Sequence, residues 1–342
     1  MTVSADELFG ADNLLGDFTV LDVRSPGEYA HGRLPGAVSL PLFDDEERAE
    51  VGTLYKQVSP DEALLRGLDI AGGKMRSLVE AARAAAPAGR VVVHCWRGGQ
   101  RSGSVAWLLR RAGMEVAQLE GGYKAFRKYA RTYLATSGHR FRVLSGPTGS
   151  KKTEVLRAMQ RRGAAVIDLE ALARHKGSSF GALGEPPQPT TEQFENQLFA
   201  ALRALPTREP VWLEDESRMI GTVYQPDEFY HRLTAAPVTE LLLPLEWRVD
   251  HLVTTYAGFG DEELQTAFRR IRKKLGGQHL STALDAIDTQ DYAAAARVAL
   301  VYYDKAYAHY TERRGANVVA RVEARSAAVE ELATQVLTGV GV

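Results

Sequence analysis

The chain has 342 residues, 25% charged and 45% hydrophobic, with a formal net charge of -1 and a single cysteine. That is an ordinary globular composition, long enough for about two domains with a core each. One cysteine excludes an intrachain disulfide, a Cys-x-x-Cys redox pair and a thiolate-rich zinc site, and the near-zero charge leaves any nucleic-acid contact to a local basic patch.

In chain order, Met1 to Glu7 form neither a basic nor an apolar leader segment, and no membrane-spanning run follows. A cytoplasmic protein without membrane contact is the expectation. Phe18 to Val23 reads as a strand stopped by Ser25-Pro26. Val91-Val92-Val93-His94 reads as a buried strand that ends at Cys95. Arg97, Gly98, Gly99, Gln100, Arg101 and Ser102 then make a Gly-rich, Arg-bearing turn before a helical pattern around Val105. N–H groups in such a turn, with the helix start behind them, form a concavity for an anion, and the same field lowers a thiol pKa. Cys95 is therefore the candidate nucleophile and Arg97 to Ser102 the candidate donor-phosphate loop; a buried core cysteine is the alternative. His94 points to the opposite face of the strand and reads as structural. Asp22 and Arg24 read as a structural ion pair. A helix from Gly121-Gly122-Tyr123 to Ala135 closes a first domain of residues 1–136, with Ser137-Gly138 as the joint.

A second domain, residues 137–342, opens on the strand Phe141 to Ser145. Gly146-Pro147-Thr148-Gly149-Ser150-Lys151-Lys152-Thr153 follows directly and starts a helix, the context of a phosphate-binding P-loop. Gly146, Thr148, Gly149 and Ser150 would cradle a di- or triphosphate, Lys152 would neutralise it, and Thr153 is a candidate Mg²⁺ ligand. Lys151 breaks the pattern, standing at the glycine position before the motif lysine, where a side chain threatens the phosphate path or constrains the turn. Val211 to Glu216 is an apolar strand ending in acids; Asp215, or Glu214, is a second candidate Mg²⁺ ligand, against a solvated strand end. Arg174, His175 and Lys176, and the run Arg269, Arg270, Arg272, Lys273 and Lys274, are candidate nucleic-acid or substrate contacts. A dipole-stabilised helix end explains the second run equally well. Beyond about Asp250 strand signals nearly vanish and helical periods dominate. There Tyr303, Tyr307 and Tyr310 share a face that reads as core packing, with base stacking or a prenyl pocket as the alternative. The alternation of β-runs and helical periods predicts an α/β fold: an N-terminal domain with a mostly parallel sheet, then a P-loop NTPase-like α/β domain with a helical C-terminal part.

Leu21 to Tyr29, Gly32 to Pro35 and the Cys95 loop resemble the rhodanese superfamily over about residues 15–130. That resemblance implies a loop cysteine that carries transferable sulfur as a persulfide. The loop departs from the pattern: five residues separate Cys95 from Arg101, one more than in sulfur-transferring loops. The spacing is similar to that of Cys-x₅-Arg phosphatases and suits a tetrahedral, phosphate-sized group.

A rhodanese domain ahead of a P-loop domain resembles the tRNA 2-selenouridine synthases. Asp44 to Lys56, Glu120 to Lys124, Asp168 to Glu170, His175 to Gly181 and Glu214 to Gly221 are similar to that family as well. The resemblance implies replacement of sulfur by selenium at C2 of wobble 2-thiouridine in tRNA. It implies an S-geranyl intermediate made from geranyl diphosphate, and selenophosphate as the selenium donor. No tightly bound cofactor is implied beyond Mg²⁺ at most, and a transient contact with a selenophosphate-supplying enzyme is. On this reading the P-loop takes geranyl diphosphate and the Cys95 loop takes selenophosphate, with Arg97 and Arg101 gripping its oxygens. Cys95 thiolate then attacks selenium, releases phosphate and is left as a selenopersulfide. Three other readings stay open: a rhodanese-type sulfurtransferase, a phosphatase using Cys95-x₅-Arg101, and a tRNA-binding scaffold whose P-loop has decayed at Lys151.

Overall fold

Two five-stranded sheets, every strand parallel to its neighbours, carry the chain. The computed structural model describes residues 1–10, 16–314 and 317–339, without the side chains of 310–314. It divides into two units, Met1–Tyr133 with Glu195–Phe199, and Leu134–Phe194 with Ala200–Val342. The division falls inside helix Gly122–Thr136.

In the first unit the strands are β1 (Thr2–Val3), β2 (Thr19–Asp22), β3 (Val38–Ser39), β4 (Arg90–His94) and β5 (Glu115–Leu119), ordered β1-β5-β4-β2-β3. β4 is central, and Val91, Val92 and Val93 are each fully buried because helices cover both faces of the sheet. In the second unit β6 (Phe141–Ser145), β7 (Val166–Ile167), β8 (Val211–Glu214), β11 (Val238–Leu242) and β12 (Val318–Glu323) take the order β12-β11-β6-β8-β7. A hairpin of β9 (Met219–Ile220) and β10 (Val223–Tyr224) stands apart from that sheet. β6 lies where successive connections leave in opposite directions, the switch point at which open α/β sheets bind ligands. The parallel α/β fold expected from the sequence is present in both units. β12 was not expected: at the sheet edge its residues alternate between covered and exposed, so its apolar signal is weak. A helical subdomain from Leu245 to Arg314 packs its own core of Leu264, Phe268, Ile271 and Ile287.

Beneath the Cys95 loop, β2 and β4 in register bring Asp22 opposite His94. Asp22 and Arg24 form a fully buried ion pair, with Arg24 Nη2 2.6 Å from Asp22 Oδ2. Arg24 also donates to the Gly32 carbonyl at 2.6 Å and lies 3.8 Å over the Tyr123 ring. Burying both charges is costly, and these extra partners are what makes it tolerable. His94 is fully buried, with Nε2 3.6 Å from Asp22. Burial lowers its pKa to about 4, against the pull of Asp22, so the imidazole is neutral.

The unfolded chain therefore takes up the His94 proton first as the pH falls. Stability is complete above the ordinary value of 6.5 and drops toward pH 4, by about 3 kcal/mol from this one group. Denaturant titrations across that window should show a shallower pH slope in His94→Gln; an identical slope would refute the assignment.

Candidate functional sites

The first site is built on the turn from β4 into helix Gln100–Arg111, which has no side-chain cap at its N-terminus. Cys95 is 4% exposed. Its Sγ lies 3.2 Å from Ser102 Oγ, which in turn accepts from Gln118 Nε2 at 3.0 Å. Burial pushes the thiol pKa up, but the Ser102 hydroxyl, the N–H groups of Ser102 and Arg97 and the Arg101 charge outweigh it and leave the pKa below its ordinary value. The turn is held from beneath, where Tyr123 N–H donates to the Cys95 carbonyl at 2.9 Å and Lys124 N–H to that of Trp96 at 3.0 Å. Gly122 has φ +58, and a Cβ there would sit 2.4 Å from the Cys95 carbonyl oxygen, so this close approach needs glycine. Arg97, Gly99 and Gln100 are exposed on the rim. Arg101 differs from expectation: its guanidinium is engaged by Glu28 at 2.7 and 3.3 Å, and acts on the thiol as a nearby charge.

The second site follows β6. Gly149 has φ +84, and a Cβ there would come 3.0 Å from the Arg248 carbonyl oxygen. Ser150 Oγ closes the turn on the Pro147 carbonyl at 2.7 Å, and the Thr148 carbonyl accepts from the buried Arg248 at 2.8 Å. Lys152 starts helix Lys152–Arg161, which also lacks a side-chain cap, and its ammonium reaches back over the loop to the Gly146 carbonyl at 2.8 Å. Lys151 takes the left-handed conformation, φ 57 and ψ 27, that a glycine would favour. Its ammonium donates to the Ala327 carbonyl at 2.9 Å. The odd lysine therefore constrains the turn, while its charged end is anchored on that carbonyl.

A cavity of about 760 Å³ opens from this loop. Gly146, Thr148, Gly149, Ser150, Lys152 and Thr153 line one part of it; Phe180, Leu264, Phe268, Ile287, Ala295 and Ala299 line another. Tyr303 and Tyr307 line it too, where core packing was the first expectation and a pocket the alternative; the Tyr310 side chain lies outside the described residues. Arg174, His175 and Lys176 also face the cavity, with Lys176 held by Glu185 at 3.0 Å and the Leu183 carbonyl at 2.8 Å. Burial lowers the His175 pKa. Arg269, Arg270, Arg272, Lys273 and Lys274 are all exposed where helix Asp261–Arg270 ends and the short helix Arg272–Leu275 follows, as a dipole-stabilised terminus requires.

Two cavity-lining acids were not singled out from the sequence. Glu170 accepts from Thr153 Oγ1 at 2.8 Å. Glu216 comes close to it across Gly177, and burial followed by the Glu170 charge pushes its pKa to about 8. Glu214, by contrast, is buried outside the cavity, accepts from the Leu169 N–H at 2.8 Å and is raised by burial. Asp215 lines the cavity. For Mg²⁺ the donor set fits in kind, one hydroxyl at Thr153 and one carboxylate at Asp215 beside a phosphate cradle, since Mg²⁺ takes few protein ligands and keeps waters. Among the described residues no group of three or more His, Cys, Asp or Glu forms a metal cage. No helix among them is long and apolar enough to cross a membrane.

A cysteine-loop unit followed by a P-loop unit is the class that this fold and these sites define. The rhodanese-like domain model matches residues 4–129, and the model described as "tRNA 2-selenouridine synthase AAA domain" matches residues 139–338. The chain belongs to the tRNA 2-selenouridine synthase family. Three proteins of that name are similar to it. The one from Bdellovibrio bacteriovorus is 44% identical, covering 69% of this chain and 64% of the relative. That from Nitrosomonas europaea is 40% identical over 72% and 66%. That from Nitrosomonas eutropha is 35% identical over 89% and 76%. The matched stretch thus spans just under two thirds of the first two relatives' own length.

Ser102→Ala removes a donor that favours the thiolate, so the Cys95 pKa rises and less thiolate is present at neutral pH. The pH profile of iodoacetamide labelling reports Cys95 alone, the chain having one cysteine; an unmoved profile would contradict this account. Lys151→Gly relieves about 1 kcal/mol of left-handed strain and gives up a hydrogen bond of about 1 kcal/mol. Thermal unfolding should change little and inorganic diphosphate binding should persist. A marked loss of binding would make Lys151 a phosphate contact.

Proposed function

We propose that the chain converts wobble 2-thiouridine of tRNA to 2-selenouridine through an S-geranyl intermediate, in the compartment where tRNA resides. The observation that carries this reading is the cavity that joins a phosphate cradle to an apolar wall. An allylic diphosphate needs both parts: N–H groups and a lysine for the leaving group, and a hydrocarbon surface for the chain. The thio sulfur attacks C1 of the geranyl group, the C1–O bond breaks, and diphosphate leaves with the electron pair while the base gives up its N3 proton. Lys152 and the loop N–H groups stabilise the growing negative charge. Thr153 and Asp215 would hold a Mg²⁺, whose charge would add to theirs.

For the selenium step, electron counting redirects the expectation drawn from the sequence. Attack of a thiolate on selenium, breaking Se–P toward phosphorus, yields phosphite rather than phosphate. Attack on phosphorus balances: an S–P bond forms, the P–Se bond breaks with its pair on selenium, and hydrogen selenide ion leaves. Water then hydrolyses the phosphocysteine. The selenide adds at C2 of the geranylated base, geranylthiolate departs, and the selenium proton passes to N3. The low thiol pKa and the N–H groups around Cys95 suit attack on a phosphoryl group, as does the five-residue spacing to Arg101.

Nucleoside mass spectrometry on a thiolated anticodon stem-loop tests both halves. Cys95→Ala should geranylate normally and form no selenouridine. Lys152→Ala should lose about a hundredfold or more in geranyl transfer yet selenate a pre-geranylated stem-loop. Loss of geranylation in Cys95→Ala would sink the division of labour.

A further inference from the structure

Helix Tyr292–Arg314 runs along the cavity with Tyr307, Tyr303, Ala299 and Ala295 on the lining face. These four are spaced by four residues, so they stack one above another at intervals of about 6 Å. The Tyr307 hydroxyl lies 3.2 Å from Ser145 Oγ, directly before the P-loop, which marks that rung as the phosphate end. The Tyr303 hydroxyl accepts from the Ser179 N–H at 3.1 Å and is fixed there. Ala299 and Ala295 share one apolar cluster with Phe180, Leu264, Phe268 and Ile287. Phe180 and Phe268 are locked edge to face at 5.0 Å.

We propose that this helix face is a ruler for the prenyl chain, with Ala299 as the residue that admits the second isoprene unit. The inference rests on the proposed function. An isoprene unit is about as long as one helical turn, roughly 5 Å. A chain anchored at the P-loop then passes its first unit along Tyr303, its second along Ala299 and any third along Ala295. A larger aliphatic side chain at Ala299 or Ala295 would take up that depth, because Phe180 and Phe268 of the same cluster are packed against each other.

Calorimetry on the full chain, with the non-hydrolysable thiolodiphosphates of dimethylallyl, geranyl and farnesyl alcohols and with inorganic diphosphate, tests this. Ala299→Leu should weaken geranyl binding about tenfold or more while dimethylallyl binding stays. Ala295→Leu should move the cut-off one turn deeper, lowering farnesyl relative to geranyl. Unchanged geranyl binding in Ala299→Leu overturns the ruler, and so does an equal loss of geranyl and dimethylallyl. If the wild type binds inorganic diphosphate as tightly as the geranyl analogue, the donor reading itself falls and the ruler with it. That outcome is read on the wild type alone, so the two failures are distinguishable.

Discussion

The first N–H groups of a helix have no partner within it, and in a parallel sheet that end of each crossover helix arrives at the carboxyl edge of the strands. Something has to accept those hydrogen bonds. At many helices of this chain a side chain does so: Ser25, Asp44, Ser59, Asp168 and Thr190 all cap their own helices. At several others none does, Gln100–Arg111 and Lys152–Arg161 among them. In the first case the neighbouring acceptor is the Cys95 sulfur, which the donors favour as thiolate. In the second it is whatever anion enters the loop. One constraint of chain geometry thus yields a nucleophile in one unit and a phosphate cradle in the other.

Keeping those turns open requires support from residues that do no chemistry. The Asp22–Arg24 pair illustrates the cost. Two charges with essentially no solvent contact would destabilise the core by several kcal/mol if either lost its partner. The bidentate pairing, the Gly32 carbonyl and the Tyr123 ring all engage Arg24, and Tyr123 N–H also holds the Cys95 carbonyl. The ion pair and the nucleophile turn therefore share a buttress. Arg248 plays the matching part in the second unit, bonding the Thr148 carbonyl while paired with Asp304.

What was legible in the sequence was what is local. A β-branched run, a glycine turn and a helix start lie within a dozen residues, so β4 with the Cys95 loop and β6 with the P-loop could be placed from their own residues. The partners that set each site's charge come from far along the chain. Glu28 is 73 residues from Arg101, and Arg248 is 100 residues from Thr148. Neither separation leaves a periodicity or a motif. Glu170 lies in a stretch similar to the family, but its meeting with Glu216 depends on how β8 and the segment around Gly177 fold together. β12 escaped for a different reason: an edge strand with one solvated face looks like a polar stretch. Tyr303 and Tyr307 show the limit of face arguments, since a helix face covered by a cavity wall and one covered by core have the same spacing.

The apolar wall does more than fit a chain. On the proposed reading, departure of diphosphate leaves an allylic carbon with partial positive charge, and water competes with the thio sulfur for it. A polar wall would bring that water with it. Phe180, Leu264, Phe268 and Ile287 offer a water molecule no hydrogen-bond partner of their own. The loop N–H groups and Lys152 stand where the negative charge develops. Because the phosphate cradle and the apolar cluster are different residues of one cavity lining, the groups that stabilise the leaving group are not those along the hydrocarbon. A P-loop that served nucleotide hydrolysis would need the reverse, a water positioned beside the phosphate.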